Sequence, residues 1–138
     1  MKDLTDFLYA NINGFLATLE DGQPRVRPYQ FMLEDAGRLC FSTNNKKEVC
    51  KQLKHNPAME FACSDPHGAW LLRLRGNVQF TNEVDVKVKI LAKSDVVRNI
   101  YKTSDHPDFE VFYLDHGSAQ LLPRAGQDSQ QPPAKQVA

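Results

Sequence analysis

The fold is decided by residues 23–56, QPRVRPYQFMLEDAGRLCFSTNNKKEVCKQLKHN. The first half predicts two β-strands joined by a turn at Ala36 and Gly37, because a turn signal separates two strand-like runs. The second half predicts a polar segment followed by a short basic helix, in which Val49, Cys50 and Leu53 form an apolar face. This order of elements places the polar segment at the start of a helix.

The polar segment, residues 42–47, carries the chemistry of an anion site. Hydroxyls, amides and ammonium groups meet the free N–H groups and the positive dipole end of the helix. Asn45, with Glu48 three residues later, fits an N-cap and capping-box pattern. The candidate anion ligands of this segment are Ser42, Thr43, Asn44, Lys46 and Lys47.

The strand before this segment adds two cations. Strand alternation places Arg25, Arg27 and Tyr29 on one face. Pro28 cannot donate to a β-ladder, so we expect it on an edge strand or at a bulge, where the barrel opens. Charge alone leaves two interpretations, an anion site or an ordinary solvated surface.

The order of the segments along the chain is more specific than any single one. Three of them, GFLATLEDGQPRVRPY (14–29), LCFSTNNKKEVCKQLKHNP (39–57) and WLLRLRG (70–76), resemble the pyridoxamine 5′-phosphate oxidase-like FMN-binding split barrels. Within that family the small nitroimidazole-resistance (Nim-type) flavoproteins are the most similar. The resemblance spans about residues 7–122. It implies an α+β fold, a six-stranded antiparallel split β-barrel with Greek-key topology and flanking helices.

The resemblance also implies a homodimer with FMN in a groove at the subunit interface. FMN needs cations and hydrogen-bond donors for its phosphate and a flat apolar surface for its ring. The expected phosphate ligands are Arg25 or Arg27, Ser42, Thr43, Asn44, Lys46 and Lys47. The expected ring contacts are Pro28, Tyr29, Trp70 and Arg73, although Tyr29 and Trp70 also fit ordinary packing, and core packing is the stronger interpretation of Trp70. Leu71 stands where the oxidases have glutamine, so ring recognition departs from the family pattern.

The resemblance implies an FMN-dependent oxidoreductase acting on a small molecule, such as a nitroaromatic or quinone-like compound. The alternative is a non-catalytic carrier of flavin or deazaflavin. Oxidation of pyridoxine phosphate is disfavoured, because the last predicted strand runs into LLPRAGQ (121–127) instead of the substrate-gripping tail of the true oxidases. No catalytic side chain is predicted. Nim-type proteins have a functional histidine in the general region of His67, so the resemblance makes this residue a candidate for a functional role.

Composition narrows the function further. With 138 residues and 41% hydrophobic content, we expect one domain (1–122), which the resemblance implies is FMN-binding, and a flexible Pro/Gln-rich tail (123–138). Equal numbers of basic and acidic residues, 17 each, argue against nucleic-acid and membrane partners, although the local basic cluster makes a nucleic-acid-binding barrel a third hypothesis. Three cysteines without zinc spacing predict reduced, buried thiols and no metal. Without an apolar run of roughly 20 residues we expect a cytoplasmic protein.

The remaining elements follow from periodicity. We predict a helix over 3–11 and strands over 15–20, 25–33, 38–43, 58–63 and 70–80. Asp21 and Gly22 predict a type I′ hairpin turn between the first two strands. Residues 83–93 alternate like a strand at VDVKVKI, but the resemblance favours a helix, followed by a helical turn over 96–101. Two last strands, 109–114 and 118–122, are predicted to meet in a hairpin at His116 and Gly117.

Overall fold

The computed structural model describes residues 2–124 and 135–137, which form one antiparallel sheet with four helices. In chain order the elements are α1 (Lys2–Ala10), β1 (Asn13–Glu20), β2 (Gln23–Gln30), β3 (Leu33–Asp35), β4 (Arg38–Asn44), α2 (Glu48–His55), β5 (Ala58–Ser64), β6 (Trp70–Thr81), α3 (Val84–Lys93), α4 (Asp95–Tyr101), β7 (Phe109–Pro123) and β8 (Lys135–Val137).

The sheet order is β2-β1-β5-β6-β7-β4-β3, with β8 paired to β7. The predicted class, an antiparallel α+β split barrel, is confirmed, but the described residues form eight strands rather than six. The second predicted strand, 25–33, is broken because the N–H groups of Phe31 and Met32 donate to the carbonyls of Ile12 and Cys40. As a result β2 ends at Gln30, and β3 begins as a separate strand.

Both predicted early hairpin turns are confirmed. Asp21 and Gly22 have φ values of 50° and 78°, and Ala36 and Gly37 have 52° and 82°. Positive φ at both central residues is the type I′ geometry, whose twist matches that of the flanking strands. Local sequence is therefore enough to fix the β1–β2 and β3–β4 pairings.

The predicted hairpin at His116 and Gly117 is wrong, because β7 continues through both residues. Leu114 pairs with Val78 and His116 with Asn77, so Asp115 is an extra residue in a β-bulge. Gly117 lies where the backbone of β7 closely approaches that of β6, and not in a turn.

Two helix predictions had opposite outcomes. Helix α3 is confirmed, since its buried residues, Val86, Ile90 and Leu91, follow helical spacing. The N-cap of α2 is Lys47, with no side-chain cap, so the capping box at Asn45 is wrong. The Asn45 amide donates instead to the carbonyl of Pro107 at 2.8 Å, which ties it to the loop before β7.

Aromatic side chains fill the barrel. Phe41 stacks on Phe112 with centroids 5.5 Å apart, and Phe61 lies 5.1 Å from Phe41. The three cysteines are buried and free, as predicted. Burial raises the pKa of Cys63 to about 11 and that of Cys40 to about 12, so both stay protonated thiols at neutral pH.

The predicted flexible tail lies mostly outside the described residues. Within residues 123–138 the structure describes 123–124 and 135–137. Pro123 ends β7, and Lys135–Val137 forms β8, which pairs with residues 117–119 of β7. The prediction of flexibility stays a prediction for the residues between them.

Candidate functional site

A cavity of about 370 Å³ lies where the barrel is split. Its walls come from the ends of β2 and β4, the start of α2 and one side of α4, and the volume is in the range of small-ligand pockets. The lining residues are Asn13, Gly14, Pro28, Tyr29, Gln30, Met32, Ser42, Thr43, Lys47, Val96, Val97, Ile100 and Tyr101.

The split exists because β2 is an edge strand that pairs only with β1. Tyr29 crosses from β2 to β4, where its hydroxyl donates to the carbonyl of Ser42 at 2.6 Å. Its ring packs against Phe41 and Phe112. Burial raises the pKa of Tyr29 above its usual range, so the phenol keeps its proton at neutral pH. A side chain, rather than a backbone ladder, therefore bridges the two strands.

Thr43 carries an unsatisfied polar group at the cavity. The residue is only 5% exposed, and its hydroxyl has no hydrogen-bond partner in the part of the chain that the structure describes. Its carbonyl accepts a 3.3 Å hydrogen bond from the Tyr101 hydroxyl. A buried, unpaired polar group costs about 1–3 kcal/mol. Because the oxygen is covered, a ligand would recover that free energy only if the side chain turned towards the cavity.

Lys47 is the cation of this cavity. Its side chain is exposed and forms no ion pair within residues 2–124 and 135–137. As N-cap of α2, it stands at the positive end of the helix dipole. Lys46, its neighbour, instead approaches Asp108 at 3.6 Å. The two adjacent lysines therefore differ in what they can offer an anion.

The two arginines of β2 do not line the cavity. Arg25 forms an exposed 3.0 Å ion pair with Glu20. Arg27 points towards the barrel, where it donates to Thr18 Oγ1 and Gln52 Oε1, each at 2.8 Å. Burial lowers the pKa of Arg27 from its ordinary value, but a guanidinium remains charged at neutral pH. Arg27 is thus engaged by the protein itself.

The remaining predicted site residues also lie elsewhere. The Asn44 side chain accepts from the N–H of Lys46 at 2.9 Å, and Arg73 pairs with Glu60 at 2.9 Å. Trp70 is 45% exposed, so the prediction that it fills the core is wrong. It is the first residue of β6, beyond the buried Leu72 and Leu74 of the same strand. The predicted residues that do line the cavity are Pro28, Tyr29, Ser42, Thr43 and Lys47.

Sequence reasoning missed the wall that α4 contributes. All four apolar residues of this short helix line the cavity: Val97 and Tyr101 are buried, and Val96 and Ile100 are exposed. Both pairs have i,i+4 spacing, so the helix is apolar on more sides than packing on the barrel requires. This second apolar face was the available signal. His67, by contrast, is exposed in the loop before β6 and does not line the cavity.

A split barrel with a ligand-sized cavity at the split defines a class of small-molecule-binding β-proteins. The profile of the family described as Pyridoxamine 5'-phosphate oxidase matches residues 1–122. The chain therefore belongs to the pyridoxamine 5′-phosphate oxidase family, and the predicted resemblance is confirmed.

Solved structures agree with this assignment. A NimC/NimA family protein from Clostridium acetobutylicum is 28% identical, with a TM-score of 0.84 over 99% of this chain and 91% of that protein, which confirms the likeness to Nim-type members. An F420 reductase is 23% identical (TM-score 0.59, covering 87% and 92%). A heme-binding protein from Mycobacterium smegmatis is 20% identical (TM-score 0.72, covering 97% and 55%). These two show the fold alone. No protein with a curated description matches the sequence.

Two features are absent from residues 2–124 and 135–137. No helix among them is long and apolar enough to cross a membrane. No group of three or more His, Cys, Asp or Glu side chains is arranged to hold a metal ion.

Proposed function

We propose that the cavity binds FMN and that the protein is an FMN-dependent oxidoreductase acting on nitroaromatic or quinone-like small molecules. The observation that carries the proposal is the cavity's one cationic lining residue, Lys47, which stands at the start of α2 and has no ion-pair partner among the described residues. Thr43, another lining residue, adds a buried hydroxyl without a partner there. An anion with several acceptor oxygens, such as a phosphate monoester, suits both groups.

The other side of the cavity suits a flat apolar ring. Met32, Val97 and Ile100 supply aliphatic surface, and Pro28 brings the backbone of the edge strand to the cavity. Pockets for cofactors are mostly apolar with a few placed polar groups, and this cavity has that composition. The family assignment supports a flavin as the occupant.

The remaining predicted phosphate ligands stay proposals. Arg25 and Lys46 hold only exposed ion pairs, with Glu20 and Asp108, and such pairs are worth less than about 1 kcal/mol. A bound phosphate can therefore compete for these two side chains at little cost. Arg27 would have to leave a part-buried hydrogen-bond cluster, which makes direct phosphate binding by Arg27 less favourable.

Bound FMN would supply the redox chemistry through its isoalloxazine ring. The protein's share is binding and orientation, because the ionisable side chains among the described lining residues are Lys47, Tyr29 and Tyr101. Burial raises the pKa of both tyrosines, which remain neutral hydrogen-bond donors at pH 7. Apolar α4 residues at the cavity favour an uncharged aromatic substrate over a charged one.

The proposal includes a homodimer. An exposed apolar face of the sheet, formed by β1 and β2, supports it. The strand register places Phe15 beside Pro28 and Ala17 beside Val26, so these side chains share a face. Phe15 is 57% exposed and Val26 64%. Exposed apolar side chains grouped on a sheet are typical of an interface. Because Pro28 also lines the cavity, a second copy on this face would border the flavin site.

Val26→Lys is expected to convert the dimer to a monomer, because a lysine buried in an apolar interface loses its hydration. Sedimentation velocity on the wild type and the variant measures the change. Val88→Lys is the matched control, since Val88 is an exposed apolar residue on α3 and its replacement should leave the dimer intact. A monomeric wild type, or equal dissociation of both variants, would contradict this interface.

A non-catalytic carrier of flavin or deazaflavin is the second candidate function. The shortage of acid–base groups at the cavity favours it. Deazaflavin is included as a cofactor because an F420 reductase shares the fold. FMN-loaded protein that is not reduced by NADH or NADPH and does not turn over nitroaromatic compounds would select the carrier. Tighter binding of deazaflavin than of FMN would show that deazaflavin is the cofactor.

Titration with FMN, followed by flavin fluorescence, tests the main proposal. We expect saturable binding by the wild type and a loss of about tenfold in Thr43→Val, because a hydrogen bond to a charged phosphate oxygen is worth about 1.5–3 kcal/mol. Riboflavin, which lacks the phosphate, is the control ligand, and its affinity should be equal in the two proteins. Thr43→Val should fold at least as stably as the wild type, because it removes an unpaired buried hydroxyl. A wild type that binds no FMN would rule out the function.

A further inference from the structure

A part-buried polar cluster joins the edge strand to helix α2. Gln52 is 7% exposed, and its Oε1 accepts from Thr18 Oγ1 at 2.5 Å and from Arg27 Nη2 at 2.8 Å. Arg27 Nη1 also donates to Thr18 Oγ1 at 2.8 Å and to the carbonyl of Leu16 at 3.3 Å. One amide oxygen thus receives hydrogen bonds from both strands of the β1–β2 hairpin.

Both elements that this cluster connects continue into the cavity. On β2, Pro28 and Tyr29 directly follow Arg27 and line the cavity. On α2, the N-cap residue Lys47 lines the cavity, and Gln52 lies five residues further along the helix. The cluster is therefore a direct side-chain link between the strand and the helix that form opposite parts of the site.

We propose that Thr18, Arg27 and Gln52 are positioning residues that hold α2 against the hairpin and so keep Lys47 at the cavity. The proposal rests on the proposed function, since Lys47 is taken as the phosphate ligand. Arg27 then serves the site through Gln52 instead of by touching the phosphate.

Hydrogen bonds to the loop before β7 restrain the segment before α2, because the N–H and the side-chain amide of Asn45 donate to the carbonyls of Asp108 and Pro107. The helix itself is held less directly. The helix has no side-chain N-cap bond, and its first intrahelical bond, from the N–H of Lys51 to the carbonyl of Lys47, is long at 3.3 Å. The edge strand has one backbone neighbour, β1. The apolar residues Val49 and Cys50 pack the first turn of the helix, and Leu53 packs the next turn. The hydrogen bonds at Gln52 therefore fix the orientation of α2. Apolar packing does not, because the hydrophobic effect favours burial but has no direction.

Gln52→Met tests the proposal, since methionine keeps the length and removes the acceptor. We expect FMN affinity to fall about fivefold, within the range of coupling between contacting residues, while riboflavin affinity is unchanged. Gln52→Glu, which still accepts from Thr18 and Arg27, should restore FMN affinity. In a Lys47→Ala background, Gln52→Met should cause no further loss. Gln79→Met, the same replacement at an exposed β6 position, is the control.

Two outcomes would overturn the positioning role. The first is an equal loss of FMN and riboflavin affinity, which would indicate a general structural defect. The second is an undiminished effect of Gln52→Met in the Lys47→Ala background, which would indicate that the cluster acts on the phosphate directly.

Amide hydrogen exchange separates failure of this inference from failure of the proposed function. Loosening of α2 should speed exchange at the Lys51 amide in Gln52→Met, whether or not a flavin binds. Unchanged exchange at Lys51 would overturn the inference on its own. If the wild type binds no FMN but exchange at Lys51 is faster in the variant, the proposed function is contradicted. The cluster would still hold α2 in place.

Discussion

Lys47→Ala is expected to weaken FMN binding by roughly tenfold to a hundredfold, because a charge-assisted hydrogen bond to phosphate is worth about 1.5–3 kcal/mol. Lys51→Ala, the matched control on the same helix, should change the affinity by less than about twofold, since Lys51 does not line the cavity and its exposed ion pair with Glu48 contributes little. Fluorescence titration of the two variants and the wild type, at equal ionic strength, measures the difference.

Two further observations make this comparison decisive. Riboflavin should bind Lys47→Ala and the wild type equally, because it lacks the phosphate that Lys47 is proposed to hold. The salt dependence of FMN binding should also become weaker in Lys47→Ala, since one charge contact is lost. Equal losses in both lysine variants would show that diffuse positive charge, rather than the Lys47 side chain, attracts the cofactor.

Gly76→Ala is expected to lose about 3 kcal/mol or more of unfolding free energy, which would be a large part of the stability of a small domain. Gly76 has φ of +152°, and a Cβ placed there would lie 2.0 Å from the carbonyl oxygen of His116 and 2.5 Å from the Cα of Gly117. Both obstacles are backbone atoms of β7, so relief requires the β6–β7 ladder to separate. Chemical denaturation measures the loss.

Gly22→Ala is the control for backbone strain without a clash. Gly22 has φ of +78°, but a Cβ there has no atom within 4 Å. We expect a loss of about 1 kcal/mol, from left-handed strain alone. Similar losses at Gly22 and Gly76 would mean that β6 and β7 can move apart at the bulge without disrupting the barrel.

Local signals in the sequence predicted the parts of the fold that depend on local physics. The turns at Asp21 and Ala36 followed from residues that tolerate positive φ. Helix α3 was harder, because its valines alternate like a strand. The bulge at Asp115 was missed because it depends on the register against β6, and a dipeptide such as His116-Gly117 gives the same signal for a turn.

The candidate site was predictable as a region but not as an arrangement. Sequence placed Thr43 and Lys47 near an anion-binding helix start, and the structure puts both at the cavity. It did not show that Arg27 is already engaged, because its acceptor Gln52 is 25 positions away in the chain. A cation's availability depends on tertiary partners, which residue type does not reveal.

The prolines of β2 explain why the barrel stays split. Pro24 and Pro28 pair with Leu19 and Phe15 of β1, and alternate residues of a strand direct their N–H groups to the same side. Since proline has no N–H, the donors missing at Pro24 and Pro28 belong to the side that faces away from β1. This free edge therefore cannot form a continuous backbone hydrogen-bond ladder, either with β4 or with a strand of another molecule. The same two residues that leave an opening for a ligand thus also protect the protein against edge-to-edge aggregation.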